Sequence, residues 1–418
     1  MKTRKMKDSG VEWLGSVPEG WQVARVKHVA TIQNGSDPLT EGNVPVYGSG
    51  GTGFKTCGEF KNGPTVLLGR KGTVDIPHYI NGRYWNVDTA FDVSMKSNNS
   101  LKWFYFLSCC FDYKSYMSQT TVPSMTQSDY NNMSIPFPPL PEQRAIAAYL
   151  DERCAKIDAM VADAKKLIEE YKQWKASVIF EAVTGKVGVD GRCRCRKMRD
   201  SGVDWIGQVP EGWVFYPIKR FFSFFKGLNI TKADLTESGI PVVSYGQIHA
   251  KNNTGTHLQD ELLRHVPQHY MESCPESRLK ENDFVFADTS EDLEGLGNCA
   301  FVDRSDAVMA GYHTIVLRPV KNAHFKYLAY LFRADCWRRQ MREIAFGIKV
   351  YSLSQRMLRQ CSLVLPPLPE QRAIAAYLDR KCAAIDRVVA VKEGLIADLE
   401  AYKKSLIFEC VTGKREVA

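Results

Sequence analysis

The sequence predicts an α/β protein with two variable modules, each closed by a long helix, arranged as an internal repeat. Residues 5–23 recur at 197–215, and residues 138–151 recur unchanged at 366–379 as PPLPEQRAIAAYLD. The offset between the copies rises from 192 at the first anchor to 228 at the second, so the second copy is longer by 36 between them. A repeat with constant ends and a diverged middle indicates one scaffold that presents two different surfaces.

The composition is that of a folded protein with more than one domain. The 418 residues are 44% hydrophobic and 24% charged, which predicts two or three domains with proper cores. The chain lacks the apolar run of about 18 residues that a membrane span needs. Its basic N-terminus leads into polar residues, so we expect a cytoplasmic protein. The net charge of +8 fits a polyanion partner and also an ordinary soluble protein, so it decides nothing alone.

The 12 cysteines are scattered and form no disulfide framework, which predicts reduced thiols. They cluster only at Cys109-Cys110 and at Cys193-x-Cys195. Neither cluster has the ligand spacing of a zinc site, so we expect no metal in this chain.

Heptad patterns predict two long helices. Apolar or small residues recur every seven positions from Leu150 to Val178, and again from Leu378 to Leu406 with Lys392 as an interruption. One such helix lying on a globular core would explain a single copy, but two equal copies favour coiled-coil packing of one helix on the other. Proline suits the first turn, and both helices end at Thr-Gly-Lys, where glycine suits a C-terminal cap. The predicted boundaries are module 1 (1–140), central helix (141–186), linker (187–196), module 2 (197–368) and distal helix (369–414).

The variable modules contain short β-like runs separated by Gly, Asn and Pro, which predicts a curved sheet in each module. One more helical stretch follows in each, at Leu101–Met117 and Ala323–Met341. Thr65–Arg70 faintly resembles Asp283–Asp288, and Asp88–Val93 faintly resembles Tyr312–Leu317, which places most of the extra length between residues 216 and 283. The predicted strands are Val44–Tyr47, Thr65–Leu68, Phe91–Met95, Pro241–Ser244, Phe284–Ala287 and Thr314–Leu317.

Module 1 offers candidate nucleic-acid contacts in its loops. The segment GSGGTGFKT (48–56) is a near miss for a P-loop, because Phe54 separates Gly53 from Lys55. It fits a loop whose N–H groups approach a phosphate, and equally a plain turn. Two cations follow a strand directly, where they suit a guanine edge, a phosphate or a simple surface charge pair. The candidates are Gly50, Gly51, Lys55, Arg70, Lys71, Thr121 and Ser124.

Module 2 offers polar side chains at comparable places. Two groups follow strands directly, and a third precedes the final segment shared by both copies. Such side chains suit contacts to base edges, and they also suit ordinary turns. The candidates are Tyr245, Gln247, Thr289, Ser290, Lys349, Tyr351 and Ser352.

The chain carries no recognisable local signature of a catalytic site. Pro138-Pro139-Leu140 lacks the Asn or Asp that precedes Pro-Pro in DNA methyltransferases, and the acidic residues at 288–294 have no matching nuclease lysine downstream. The sequence therefore predicts a recognition protein that is not an enzyme. A standalone DNA-modifying or cleaving enzyme with an unrecognised site, or a coiled-coil scaffold without a nucleic-acid role, remain the alternatives.

Two paired signatures resemble the type I restriction–modification specificity subunit. The first is WLGSVPEGW at 13–21, repeated as WIGQVPEGW at 205–213. The second is PPLPEQRAIA at 138–147 and 366–375. The resemblance covers the whole chain in the family's order of target-recognition domain, helix, target-recognition domain, helix.

The resemblance implies a function and partners. Members of this family pack the two helices antiparallel, and each domain reads one half of a split double-stranded DNA target whose gap the helices set. Two modification (methyltransferase) subunits bind the specificity subunit, and restriction subunits can join. We therefore expect S-adenosylmethionine, ATP and Mg²⁺ on partner subunits and no cofactor in this chain. Docking candidates at the helix starts are Glu142, Arg144, Glu370 and Arg372, for which helix capping and solvation is the alternative role.

Overall fold

The computed structural model describes residues 4–118, 121–188, 197–203, 206–345, 347 and 350–417. The chain divides into two compact units, which are described separately. Unit 1 contains residues up to 166 and from 392 onwards, and unit 2 contains residues 167–391. Each unit thus combines one module with a part of both long helices. In the described ranges, no helix is long and apolar enough to cross a membrane.

Module 1 is a mixed α/β domain in unit 1. Its strands are β1 (Met6–Asp8), β2 (Ser16–Pro18), β3 (Gln22–Arg25), β4 (Ala30–Asn34), β5 (Val44–Tyr47), β6 (Gly53–Cys57), β7 (Lys61–Asn62), β8 (Thr65–Gly69), β9 (His78–Ile80), β10 (Arg83–Asn86), β11 (Ala90–Met95) and β12 (Ser134–Phe137). Its helices are α1 (Val26–Val29), α2 (Leu101–Ser108), α3 (Tyr113–Tyr116) and α4 (Gln127–Asn132), followed by the first long helix, α5 (Leu140–Val183).

Two four-stranded sheets form the centre of module 1. One sheet has the antiparallel order β4-β11-β8-β9, and the other has the order β6-β5-β10-β7 with β5 and β10 parallel. Strand β8 is buried on both faces, which explains its continuous apolar sequence. Val66 and Leu68 pack in the same cluster as Trp103 of α2, while Leu67 packs with Tyr84 of the second sheet.

The elements of module 2, in unit 2, follow a similar order, with additional short ones. Its strands are β13 (Met198–Asp200), β14 (Gln208–Pro210), β15 (Val214–Pro217), β16 (Phe222–Lys226), β17 (Ile240–Val243), β18 (Arg264–Val266), β19 (Phe284–Ala287), β20 (Thr289–Ser290), β21 (Cys299–Phe301), β22 (Met309–Ala310), β23 (Thr314–Pro319), β24 (Tyr351–Ser352) and β25 (Ser362–Leu365). Its helices are α6 (Tyr245–Ile248), α7 (Tyr270–Ser273), α8 (Phe325–Arg333), α9 (Asp335–Ile344) and α10 (Gln355–Leu358), followed by the second long helix, α11 (Leu368–Val411).

The strand registers show which elements of the two modules are equivalent. The sheet β16-β23-β19-β21 repeats β4-β11-β8-β9, and the parallel pair β17-β22 repeats β5-β10. Equivalent positions differ in number by 192 between β4 and β16, by 218 between β8 and β19, and by 224 between β11 and β23. The second copy therefore gains most of its extra length between β16 and β19, which confirms the placement predicted from the sequence. The region between β16 and β19 contains α6, β18 and α7, of which β18 pairs with β17 as β6 pairs with β5.

The predicted single helical stretches at Leu101–Met117 and Ala323–Met341 are wrong, because each is two helices. In module 2, Ala334 adopts an extended backbone conformation that ends α8 and begins α9. The break lets both Phe332 and Trp337 enter the core, where their ring centroids lie 4.4 Å apart. In module 1, residues 109–112 separate α2 from α3.

The two long helices pack antiparallel, as the fold prediction requires. In unit 1, Lys403 bonds Asp158 at 2.6 Å, and in unit 2, Lys175 bonds Asp386 at 2.7 Å. These are the same two positions of the helical repeat, with the roles of the two helices exchanged. Apolar residues from both helices share one core in each unit. The predicted antiparallel helix pair and pseudo-two-fold repeat are confirmed.

Both long helices begin one residue earlier than predicted, at Leu140 and Leu368. The glycine of each Thr-Gly-Lys, Gly185 and Gly413, has a φ of +73° and ends its helix in the left-handed conformation. Most of the predicted linker, at 189–196, lies outside the described residues, as do Cys193 and Cys195.

Candidate nucleic-acid interface

In module 1, backbone hydrogen bonds join three loops at the edge where β8 ends and β11 begins. The Arg70 N–H donates to Thr89 O (2.8 Å), and the Arg70 carbonyl accepts from the Met125 N–H (3.0 Å). Lys71 forms a β-bridge with Ser124. The structure therefore brings together three of the predicted contacts, although Arg70 and Ser124 are far apart in the sequence.

The glycine-rich segment is a tight turn packed beside these loops. The Gly51 N–H donates to Gly48 O (3.2 Å), and Gly51 has a φ of +70°. A Cβ on Gly51 would overlap the ring of His78, and a Cβ on Gly48 would lie 2.9 Å from Thr89 Oγ1. Only glycine fits this close approach. Burial lowers the pKa of His78, which favours the neutral ring beneath the turn.

The charged side chains around this edge are accessible. Arg70 is 38% exposed, and its Nη1 donates to the Asp88 carbonyl (3.2 Å). Lys71 is exposed, and so is Lys55 on β6, whose ammonium lies 5.6 Å from the centroid of the Phe54 ring. Thr121 and Gly50 are exposed as well. This end of module 1 is thus a cationic surface with accessible backbone, which suits phosphate and guanine contacts.

Module 2 repeats the same backbone arrangement with different side chains. The Asp288 N–H donates to His313 O (3.0 Å), and the Asp288 carbonyl accepts from the Leu353 N–H (2.7 Å). Strand β20 pairs with β24 through Thr289–Ser352 and Ser290–Tyr351. Four of the predicted contacts of module 2 therefore lie together.

The helix α6 occupies the position of the glycine turn in module 1. The rings of Tyr245 and His313 lie 5.4 Å apart, and His249 Nε2 is 2.7 Å from Thr289 O. Gln247 is engaged in capping, because its Oε1 accepts from the Ser244 N–H (3.1 Å). Tyr245 thus joins the same loop cluster.

Two of the predicted contacts in module 2 need qualification. Ser290 is 3% exposed and its hydroxyl donates to Asp292 O (2.7 Å), so this group serves the loop itself. Lys349 lies outside the described residues. His313 and Thr89, which were not among the predicted contacts, lie at the centre of the two clusters, and the strand registers confirm that they are equivalent.

The predicted docking residues have separate roles. Glu142 accepts hydrogen bonds from Trp21 Nε1 (2.9 Å) and Arg4 Nη2, and Glu370 accepts from Trp213 Nε1 (3.3 Å). Both carboxylates therefore tie the N-terminal signature of a module to its helix. By contrast, Arg144 and Arg372 are exposed at equivalent positions of the two helices.

The buried neighbours of these arginines were not singled out in the sequence. Gln143 Oε1 accepts from the Ser100 N–H (2.9 Å), and Gln371 Oε1 accepts from the His324 N–H (2.9 Å). Each amide thus fixes the start of the module's own helix against the long helix. Over the described residues, no group of three or more His, Cys, Asp or Glu side chains is arranged to hold a metal ion.

Comparisons with known proteins agree with this architecture. A family model described as the type I restriction modification DNA specificity domain matches residues 18–170 and 210–401. The chain is 22% identical over 364 residues to the MjaVIII specificity subunit of Methanocaldococcus jannaschii, covering 85% of this chain and 77% of that protein. It is 23% identical over 212 residues to the EcoKI specificity subunit of Escherichia coli, covering 50% of this chain and 44% of that protein.

A solved structure concerning complex assembly and conformational transition of the type I R-M system has the same fold. It aligns with a TM-score of 0.69 and 16% identity over 96% of this chain and 99% of its own.

Proposed function

The chain belongs to the type I restriction modification DNA specificity domain family, and we propose that it is the DNA-recognition subunit of a type I restriction–modification complex. Each module reads one half of a bipartite DNA target, and the helix pair fixes the gap between the halves. The chain itself performs no catalysis. Two modification subunits carry S-adenosylmethionine, and restriction subunits, where present, use ATP and Mg²⁺.

The main support is that both modules present the same cluster of loops with different side chains. In module 1 the loop after β8 begins with Arg70 and Lys71, whereas in module 2 the equivalent loop begins with Asp288 and Thr289. The N–H and the carbonyl of Arg70 make the same backbone hydrogen bonds as those of Asp288. Base recognition depends on the donors and acceptors that a surface offers, so the two half-sites differ and the target is asymmetric.

A module exchange tests this function. Residues 216–349 are replaced by the corresponding segment of another family member, and the variant is expressed with the modification subunits of its own system in a host free of other DNA methylation. Genome-wide mapping of methylated bases then gives the target. We expect one half-site to change and the other to stay. A change of both half-sites, or of neither, would contradict the two-reader function.

The exposed arginines Arg144 and Arg372 are the docking positions that we propose for the modification subunits. They occupy equivalent turns of α5 and α11, and their carboxylate neighbours are already bonded within each unit. The double charge reversal Arg144→Glu and Arg372→Glu should reduce co-purification of the modification subunits. Lys232→Glu, at an exposed cation of the loop between β16 and β17, is the matched control. Unchanged co-purification of the double variant would remove these residues from the docking surface.

A further inference from the structure

Arg70 and Asp288 occupy the same place in the two modules. Each is the first residue after the central strand of the four-stranded sheet, β8 or β19. Each N–H donates to the carbonyl of the residue before the adjacent strand of the sheet, β11 or β23, and each carbonyl accepts from the segment that precedes α4 or α10. Because the N–H and the carbonyl are both hydrogen-bonded, the backbone fixes the position from which the side chain extends. Recognition residues are pre-organised in this way.

The side chains at this place have opposite hydrogen-bonding character. Arginine has five N–H donors and no acceptor, whereas an ionised carboxylate only accepts. Among the described residues, Arg70 bonds the carbonyl of Asp88 and also lies 3.9 Å from the Asp88 carboxylate. Asp288 Oδ1 lies 3.1 Å from His313 Nδ1, and its side chain is 33% exposed. Both side chains therefore retain capacity for an external partner.

His313 holds the carboxylate from an unusual backbone position. Its φ is +55°, in the left-handed region that residues other than glycine seldom adopt. Such conformations cluster at functional sites, because the surrounding structure must enforce them. Asp288 and His313 line a cleft of about 770 Å³, to which Asn229 and Arg356 also contribute. The carboxylate is thus oriented at the wall of an open cleft.

Resting on the proposed function, we infer that the side chain at this shared position selects one base in each half-site. It donates hydrogen bonds to the base in module 1 and accepts a hydrogen bond from the base in module 2. Arg70 donates to O6 and N7 of a guanine in the half-site of module 1. Asp288 accepts from the N4 amino group of a cytosine in the half-site of module 2, and His313 is the positioning residue that orients its carboxylate.

The chemistry of the major groove explains this assignment. Guanine presents two acceptors there, which match the planar fork of arginine, and cytosine presents a donor, which matches a carboxylate. A phosphate would repel Asp288, so the side chain at this position in module 2 is unsuited to backbone contact. Both modules therefore select a G·C pair at this place, in opposite orientations.

Methylation mapping with single substitutions tests the inference. The complex of the full chain with its modification subunits is expressed as wild type, Asp288→Asn, His313→Gln and Arg70→Gln. Asparagine keeps the shape of aspartate and bonds N6 and N7 of adenine, so Asp288→Asn should move one position of the module 2 half-site from cytosine towards adenine. We expect a preference change on the order of ten- to a hundredfold. Glu291→Gln, an exposed carboxylate three residues away, is the control.

The other variants give separate readouts. His313→Gln should relax the same position as Asp288→Asn and no other, which a general loss of stability would not do. Arg70→Gln should relax one guanine of the module 1 half-site and leave the module 2 half-site unchanged. If Asp288→Asn abolishes methylation, competition between duplexes that differ at single positions measures the same preference by binding, and retention of the cytosine preference overturns the inference.

The wild-type target is itself a test. A module 2 half-site made only of A·T pairs, or an Asp288→Asn variant that leaves it unaltered, would refute the reading role of Asp288. If the wild-type complex marks a bipartite target and the module exchange changes one half, such a result removes this inference alone. A wild-type complex that marks no bipartite target instead removes the proposed function.

Discussion

The two modules differ at a buried polar pair on equivalent strands. In module 2, Asp283 is fully buried immediately before β19 and accepts a hydrogen bond from Arg318 (2.8 Å). Module 1 has Thr65 and Ser94 at these two positions. The hydroxyl of Thr65 donates instead to Val93 O (2.9 Å). The same strand pair thus tolerates an ion pair or a hydroxyl, provided that the buried polar group has a partner. The two modules therefore share a strand pair whose buried polar groups have diverged.

The contacts between each module and the long helices are, by contrast, the same in both units. Trp21 and Trp213 are both buried, and each donates its indole N–H to a glutamate of the long helix in its unit. Pro18 and Pro210 pack against Gly413 and Gly185 respectively, the glycines that end the long helices. Sequence has stayed constant where one side chain touches two elements at once, because a change on either side would break the contact.

The largest expected effect comes from removing a tryptophan of this constant frame. Trp21→Ala and Trp213→Ala should each lower the free energy of unfolding by about 3–5 kcal/mol, because both leave a large cavity. Urea denaturation followed by circular dichroism measures the loss. Trp174→Ala, at a tryptophan 50% exposed on α5, should change stability by less than about 0.5 kcal/mol. Clearly unequal losses in the free energy of unfolding for Trp21→Ala and Trp213→Ala would show that the two tryptophan contacts are not equivalent.

Breaking the buried ion pair should destabilise module 2 by about 3–5 kcal/mol, since Arg318→Met leaves an uncompensated carboxylate. Hydrogen exchange, read separately for the strands of each module, should show the loss in module 2 alone. The double variant Asp283→Leu with Arg318→Met should recover most of it, because a well-packed apolar pair replaces the charges. An equal loss in the double variant would mean that packing, and not charge, governs this site.

The same carboxyl gives module 2 a pH dependence. Burial raises the pKa of Asp283 above its ordinary value of 3.8, against the lowering effect of Arg318. A folded state that holds the proton more tightly than the unfolded state gains stability below pH 3.8, and loses it as the pH rises through the folded pKa. Removing the guanidinium should strengthen this trend, so the cost of Arg318→Met should shrink on acidification. A cost that grows on acidification would reverse this assignment.

Glycines with similar backbone angles should respond differently. Gly413 and Gly10 have φ of +73° and +69°, so alanine is strained at both by about 1 kcal/mol. At Gly413 a Cβ would also overlap the ring of Pro18, whereas at Gly10 it would meet nothing within 4 Å. Gly413→Ala should therefore lower the midpoint of urea unfolding more than Gly10→Ala, and Gly185→Ala should match Gly413→Ala. Equal effects at Gly413 and Gly10 would argue against the close packing.

The smallest effect belongs to the ion pairs between the helices. Lys403→Gln and Lys175→Gln should each cost roughly 0.2–1 kcal/mol, because their carboxylate partners are more than half exposed. Thermal denaturation at low salt should show similar losses for both variants, and high salt should remove these losses. A loss of stability in only one of the two variants would show that the helix contacts of its unit depend more on charge than those of the other unit.

Features encoded locally could be predicted from the sequence. The heptads gave both long helices to within a few residues, and apolar runs gave the central strands β8, β11, β19 and β23. The offsets of the repeat, together with faint similarity between the modules, located most of the extra length of module 2. The break at Ala334 could not be predicted, because it depends on two aromatic rings that must enter the same core.

The candidate interface divides in the same way. Sequence patterns selected Arg70, Lys71 and Ser124 as polar residues in loops, but each pattern fitted a plain turn equally well. Their convergence is decided by hydrogen bonds between loops far apart in the chain. The equivalence of Arg70 with Asp288 was already indicated by the faint similarity between the modules, and the strand registers confirm it. The sequence alone determined that two copies of one scaffold exist. The tertiary structure decided which of the corresponding positions lie together, because the loops that carry them are far apart in the chain and meet only through hydrogen bonds of the folded module.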